Sequence, residues 1–199
     1  MHEKDLLRAV YVAELLGGVA TVEAVANILD DAPREVQNRL EAATREGLVD
    51  VEEGAVSLTP KGKGKLTVVM IGGAFEIIHP GHVHTTSEAK KLGDVLVVVV
   101  AADSTVMKNK KREPVTSQEW RVRLVSALRD VDAAVPGGLG SIYDMLEKIR
   151  PDIVALGYDQ WHIPQDIENE AVRRGMKVRV VRLSSPLPDV KTSKIVGTL

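Results

Sequence analysis

The apolar and polar positions along this chain follow two different rhythms. Through the first third, apolar residues return every three to four positions. "DLLRAVYVAELL" keeps that helical spacing and stops at Gly17 and Gly18. "TVEAVANILD" begins at Thr21, a good N-cap, with Ala24 where a capping box would place Glu. "APREVQNRLEAATREGLVD" predicts a third helix, with Pro33 in its first turn and Gly47 at its end. "VDVEEGAVSLTPKGKG" then alternates, turns at Glu53-Gly54 and alternates again, a hairpin pattern. Lys61, Gly62, Lys63 and Gly64 read as a short linker. From Lys65 onward the rhythm changes. "KLTVVMIGG", "DVLVVVVAAD", "AAVPG", "DIVALGYDQ" and "KVRVVRLSS" are near-continuous apolar runs of strand length. Between them, "VHTTSEAKKLG", "SQEWRVRLVSALRDV", "SIYDMLEKIRP" and "IPQDIENEAVRRGM" carry helical periodicity. Strands of that kind alternating with helices predict a doubly wound parallel α/β sheet, covered on both faces. In such sheets a ligand sits outside the carboxyl ends of the strands, near the switch point.

The chain therefore divides into residues 1–64 and 65–199. Three helices followed by a hairpin resemble a winged helix-turn-helix domain, down to the "LTPKG" at the end of the wing. That resemblance makes the third helix a recognition helix, bearing Arg34, Gln37, Asn38, Arg39 and Arg45. Charge argues the other way. Residues 1–64 hold seven Lys and Arg against twelve Asp and Glu, a net of −5. Duplex binding rests largely on neutralised phosphates, and a basic footprint is its expected mark. DNA is therefore not the expected partner, and a packing or dimerisation module is the plainer reading.

Composition narrows the picture further. The chain is 44 % hydrophobic but only 3 % aromatic, so its core must be built from Val, Leu, Ile and Ala. There is no Cys, which excludes disulfides, thiolate metal sites and cysteine nucleophiles. No N-terminal apolar signal stretch is visible, and the longest apolar run, 95–102, is too short to span a bilayer. A cytoplasmic protein with no membrane partner is expected.

One stretch is not explained by packing. "IGGAFEIIHPGHVHTTSEAKKLGD" ends a strand on Gly72-Gly73, crosses a loop, and opens a helix at Pro80 between two histidines. Pro suits the first helical turn, where its missing N–H costs nothing. His79 and His82, three apart, fall on one face there. Free backbone N–H groups and the positive end of the helix dipole make this an anion site. Gly81 allows a phosphate to approach the backbone closely.

"GAFEIIHPGH" resembles the GTFDxxHxGH signature of the cytidylyltransferase-like nucleotidyltransferases. Four further segments resemble the family in the same order: "AKKLGDVLVVVVAAD", "REPVTSQEWRVRLVSALRDVDAAVPG", "RPDIVALGYDQ" and "KTSKIV". Within the family, "HPGH", "VAADSTVMKNKKREP" and "RPDIVALGYDQ" look like the archaeal FAD synthetases. Two departures stand out. Ala74 and Glu76 replace the signature's Thr and Asp, and the C-terminal cysteines of those synthetases are missing.

The resemblance implies a Rossmann-like fold and transfer of a nucleotidyl group from ATP or CTP to a phosphorylated acceptor, FMN being favoured, with release of pyrophosphate. It implies catalytic roles for His79, His82, Lys91 and Arg121, with Lys90 as an alternative to Lys91. It implies nucleotide contacts from Gly72, Gly73, Ala74, Phe75, His79, His82, Gly157, Asp159, Thr192 and Ser193. Mg²⁺ is expected to ride on the nucleotide phosphates, with no dedicated protein ligands. A homodimer is among the assemblies the resemblance allows. "KNKKR" at 108–112 reads as a solvated loop that would steer anions if it lay near the phosphates. Trp120 and Trp161 read as packing residues, and His84 as structural. Two rival functions stay open: a CTP-dependent cytidylyltransferase acting on glycerol 3-phosphate or a similar alcohol phosphate, and a nucleotide-sensing DNA-binding regulator. The intact histidine pair argues against the regulator.

Overall fold

The computed structural model describes residues 3–138, 141–158 and 160–184. Among them the chain forms two compact units, Met1–Thr67 and Val68–Leu199.

The first unit opens with α1 (Glu3–Gly17), α2 (Val22–Leu29) and α3 (Pro33–Arg45). Thr21 caps α2, its side chain accepting from the Ala24 N–H at 3.2 Å. Pro33 occupies the first turn of α3. Antiparallel β1 (Val49–Glu52) and β2 (Ala55–Leu58) follow, joined by Glu53 and Gly54 with φ of 50° and 83°. Positive φ at both turn residues matches the twist of a two-residue hairpin. The expected linker is instead a helical turn, α4 (Pro60–Lys63), capped by Thr59. It packs so closely that a Cβ on Gly62 would lie 2.0 Å from the Leu48 carbonyl oxygen. The boundary between units falls three residues later than the sequence suggests.

The second unit carries β3 (Val68–Gly73), α5 (Pro80–Lys90), β4 (Val95–Val100), α6 (Asp103–Lys110), α7 (Gln118–Ser126), β5 (Ala133–Pro136), α8 (Ile142–Ile149), β6 (Ile153–Leu156), α9 (Pro164–Arg173) and β7 (Arg179–Arg182). The five strands form one parallel sheet in the order β5-β4-β3-β6-β7. All six residues of β4 are buried, as are the four of β6. That is why these strands read as unbroken apolar runs. The order reverses between β3 and β6, which is the switch point. The β3–β4 ladder runs the full strand, to Gly73 opposite Val100. The β3–β6 ladder ends early, at Met70 opposite Val154. Beyond that point a crevice opens at the carboxyl ends.

At the opposite edge, aspartates tie the strand starts together. Asp152 accepts from the Val68 N–H at 2.7 Å, and Asp132 from the Leu96 N–H at 2.6 Å. Helix α6 was not expected, because its polar sequence lacks an apolar stripe; only Val106 is buried. Among the described residues, no helix is long and apolar enough to cross a membrane.

Candidate active site

The first strand of the sheet delivers Gly72 and Gly73 to the crevice, and three sets of bonds then fix the loop that follows. The Gly73 carbonyl accepts from the Ala101 N–H at 2.9 Å. The Ala74 carbonyl accepts from Arg121 at 2.5 Å. Glu76, buried, accepts from Arg112 at 2.8 Å and from Lys110. Burial alone would raise the Glu76 pKa; the Lys110 and Arg112 hydrogen bonds outweigh it and hold the carboxyl below its ordinary value. Phe75 sits between these anchors with φ of 50°, unusual for a bulky residue. Its buried ring packs on Gly73, where a Cβ would lie 2.9 Å from the ring edge. Gly73 is therefore required by Phe75 rather than by its own backbone.

His79 is the N-cap of α5 and Pro80 its first residue. The His79 and His82 rings stack with centroids 3.9 Å apart, and the Phe75 ring lies 5.0 Å from His82. The loop and both histidines thus form one continuous packed group. Burial pushes the His79 pKa down, favouring the neutral imidazole. Its Nδ1 is buried without a hydrogen-bond partner among the described residues.

A cavity of about 730 Å³ occupies the carboxyl ends of the strands. Gly72, Gly73 and Ala74 line it, with Ala101 and Ala102 after β4, Gly137 and Gly138 after β5, and Val154 and Leu156 of β6. Helix α6 contributes Lys108, Asn109 and Lys110, and α8 contributes Ile142, Tyr143 and Met145. The segment after β6 supplies Gln160, Trp161, His162 and Ile163. One wall is thus cationic and backbone-rich, while another is apolar. That combination suits a phosphorylated ligand bearing a planar ring. His79 lines a second, open cleft with Ile78, Val83 and His84.

Several expected site residues stand elsewhere. Lys91, 65 % exposed, pairs with Glu88 at 2.5 Å. Lys90 binds Asp132 and the Asp94 carbonyl, at the strand-start edge of the sheet. Both sit at the C-terminal end of α5, an 11-residue helix that carries them roughly 12–18 Å along its axis from the two histidines. Neither Lys91 nor Lys90 lines the cavity described above. The cavity lysines are Lys108 and Lys110, from the segment read as a solvated loop.

Arg121 is 0 % exposed. It donates to Ala74, to Asp103 at 2.5 Å and to the Thr116 carbonyl at 3.1 Å. It is bonded to the loop after β3 through the Ala74 carbonyl and is fully buried, where a direct ligand contact was expected. Gly157 lies at the end of β6, with its N–H bonded to Gln160. Trp120 and Trp161 are both exposed, against the expectation of packing. Asp159, Thr192 and Ser193 lie outside the described residues. Sequence reasoning missed Gln160, Arg182 and the anchoring role of Glu76. Only the departure from Asp at that position signalled the last of these.

The fold and site define a nucleotidyltransferase: a phosphate loop at the switch point of a parallel sheet, with a histidine pair on the helix that follows. The chain belongs to the cytidylyltransferase-like family, whose family model matches residues 70–198. It is 50 % identical over 115 residues to the FAD synthase of Aciduliprofundum boonei, covering 58 % of this chain and 76 % of that protein. It is 46 % identical over 126 residues to the FAD synthase of Methanothrix thermoacetophila, covering 63 % and 87 %. Among solved structures, the lipopolysaccharide core biosynthesis protein from Thermoplasma volcanium matches with a TM-score of 0.58 at 40 % identity, over 60 % of this chain and 98 % of that one.

Proposed function

We propose that this enzyme transfers the adenylyl group of ATP to the phosphate of FMN, forming FAD and releasing pyrophosphate. The observation that carries this reading is the identity of 40–50 % to several archaeal proteins named FAD synthase. A phosphate oxygen of FMN attacks the α-phosphorus of ATP. The bond from that phosphorus to the bridging oxygen breaks, and pyrophosphate leaves with the electron pair. Catalysis of this kind consists of alignment and stabilisation of charge on the transferring group.

In this reading the phosphates lie over Gly72, Gly73, Ala74 and Phe75, at the N-terminal end of α5. His79 and His82 donate hydrogen bonds to the α-phosphate in the transition state. Lys108 and Lys110 neutralise the phosphate chain from the cavity wall. Glu76 and Arg121 touch no substrate; they hold Lys110 and the loop in place. Asp159, Thr192 and Ser193 keep the nucleotide-binding roles implied by the family resemblance.

A divalent ion accompanies the nucleotide, and Mg²⁺ is the ion proposed. The described residues contain no cluster of three or more His, Asp or Glu side chains able to hold a metal. Such an ion would draw most of its oxygen ligands from phosphate and water, as Mg²⁺ on a nucleotide commonly does. The first unit is proposed as a winged-helix module without a duplex-binding role, given its net charge of −5 over residues 1–64.

Pyrophosphate release with Mg²⁺ tests the reading directly. Turnover is expected with ATP plus FMN, and FAD should appear by its absorbance and retention. Turnover only with CTP plus glycerol 3-phosphate would move the assignment to a cytidylyltransferase.

A further inference from the structure

The described residues between β6 and α9 combine exposure with hydrogen-bond anchoring in a way that folding alone does not require. Trp161 is 79 % exposed and Ile163 is 59 % exposed, and both line the cavity. Exposed apolar surface is informative where it is contiguous and borders a groove, as a ligand-binding rim does. A loop that merely tolerates an exposed Trp has no reason to be tied down. This one is bound from two sides. Gln160 donates to the Gly72 carbonyl at 2.6 Å and accepts from the Gly157 N–H at 3.0 Å. Its amide thereby replaces the missing rungs where the β3–β6 ladder ends. From β7, Arg182 donates to the carbonyls of Gly157, Gln160 and His162 at 2.8–2.9 Å. The indole is also set in plane, stacked on the His162 ring at 4.2 Å and 19°. Burial, then the Arg182 charge, lowers the His162 pKa and favours a neutral stacking partner.

We infer that Trp161 is a preorganised stacking platform for the purine ring of the nucleotide. The purine is favoured over the flavin because the platform is one residue from Gln160, which touches Gly72 at the switch point. The phosphate loop begins at that same residue. Ile142, Tyr143 and Met145 line the same cavity and remain for the other substrate. A ring lying on a fixed indole loses little further conformational freedom on binding. The inference rests on the proposed use of this cavity for ATP.

Trp161→Ala, Trp161→Phe and the wild-type chain would be compared by calorimetric titration with Mg-ATP, and by the KM of each substrate in pyrophosphate release. Loss of one aromatic stack lowers base affinity by roughly 5- to 100-fold. That loss is expected for Trp161→Ala in both the ATP Kd and the ATP KM. Trp161→Phe should recover most of it, and the KM for FMN should stay within about twofold. A second comparison, Mg-ATP against Mg-triphosphate, checks the ring itself: Trp161→Ala should not weaken triphosphate. Unchanged ATP affinity in a folded Trp161→Ala chain would overturn the inference while leaving the proposed reaction intact. A raised KM for FMN with unchanged ATP binding would overturn it too, moving the platform to the flavin. Wild-type protein that binds no nucleotide would overturn both.

Discussion

Two lysine pairs in the second unit look alike in sequence and do opposite work. Lys90 and Lys91 close the histidine-bearing helix itself, yet they lie at the edge of the sheet where strands begin. There Lys90 joins Asp132 to the Asp94 carbonyl, and Lys91 pairs with Glu88 on the surface. Lys108 and Lys110 come a whole strand later, yet they face the cavity. The difference is topological. In a parallel α/β sheet a crossover helix such as α5 starts near the carboxyl ends and finishes at the other edge. A cation useful to a phosphate must therefore sit in a segment that follows a strand. One in the last turn of a crossover helix is in the wrong place. Lys108 and Lys110 also end a helix, but α6 is followed by α7 before β5, and Lys110 still reaches Glu76 in the loop after β3.

The largest effect should come from the group both pairs are measured against. His79→Ala is expected to lower kcat by roughly 10²–10³-fold, the usual loss for one well-placed donor to a developing charge. Single-turnover FAD formation with saturating ATP and FMN would measure it. A rate within a factor of three of wild type would remove the histidine pair from the chemistry and leave the cavity lysines without a reference point.

Next comes the pair in the cavity. Lys110→Ala should raise the KM for ATP by about tenfold, the equivalent of one charge-assisted hydrogen bond at 1.4 kcal/mol per decade. Glu76→Ala should produce the same change indirectly, since Lys110 and Arg112 lose the carboxylate that orients them. It should also destabilise the fold by about 2–3 kcal/mol, as expected when hydrogen bonds to a buried charged group are lost. Denaturant melts alongside the kinetics separate the two effects. Lys110→Ala should cost some stability too, because buried Glu76 then keeps only Arg112 as a cationic partner, but less than Glu76→Ala.

The strands were the most legible part of this chain. Both faces of the sheet are covered, so "VLVVVV" and "DIVAL" had no polar alternation to obscure them, and all five strands fell in the expected segments. The glycine pair and the H-P-G-H stretch were legible because a phosphate site needs bare backbone and a helix start. Helix α6 was not. It buries only Val106, so it carries no periodic signal, and "KNKKR" was indistinguishable from a solvated loop. The direction of long side chains was equally hidden. Nothing in the residues around Arg121 announced that its guanidinium would turn inward to Ala74 and Asp103. Nor did Gln160 betray a role, since one partner, Gly72, lies on β3, 88 residues away, and the other, Gly157, just beyond β6.

Acidity gives a smaller and graded test. Burial favours neutral His79, so the donor at the α-phosphate should be the N–H of a neutral ring. The folded pKa is below the ordinary 6.5, so kcat/KM should be flat above that pH and fall only as pH drops further. A requirement for the protonated ring would give the reverse, with activity declining as pH rises through 6.5. Stability follows the same sign. Groups with depressed folded pKa values contribute above their unfolded pKa and lose that contribution as pH falls through the folded one. His79 and His162 should therefore soften the fold below about pH 6.5, and Glu76 below about 4.5.

The smallest expected effect is the most diagnostic for the comparison. Lys91→Ala removes an exposed cation whose partner is also on the surface, and exposed pairs of that kind contribute little. Both kcat and KM should stay within about twofold of wild type. Lys90→Met should leave the kinetics equally untouched but lower the melting temperature, because Asp132 also ties down the Leu96 N–H and loses its counter-charge. A thermal scan and a steady-state assay on the same two variants suffice. If Lys91→Ala instead costs tenfold or more in ATP KM, α5 must reorganise on binding so that its far end reaches the phosphates. The division of labour between the two edges of the sheet would then hold only for the unliganded chain.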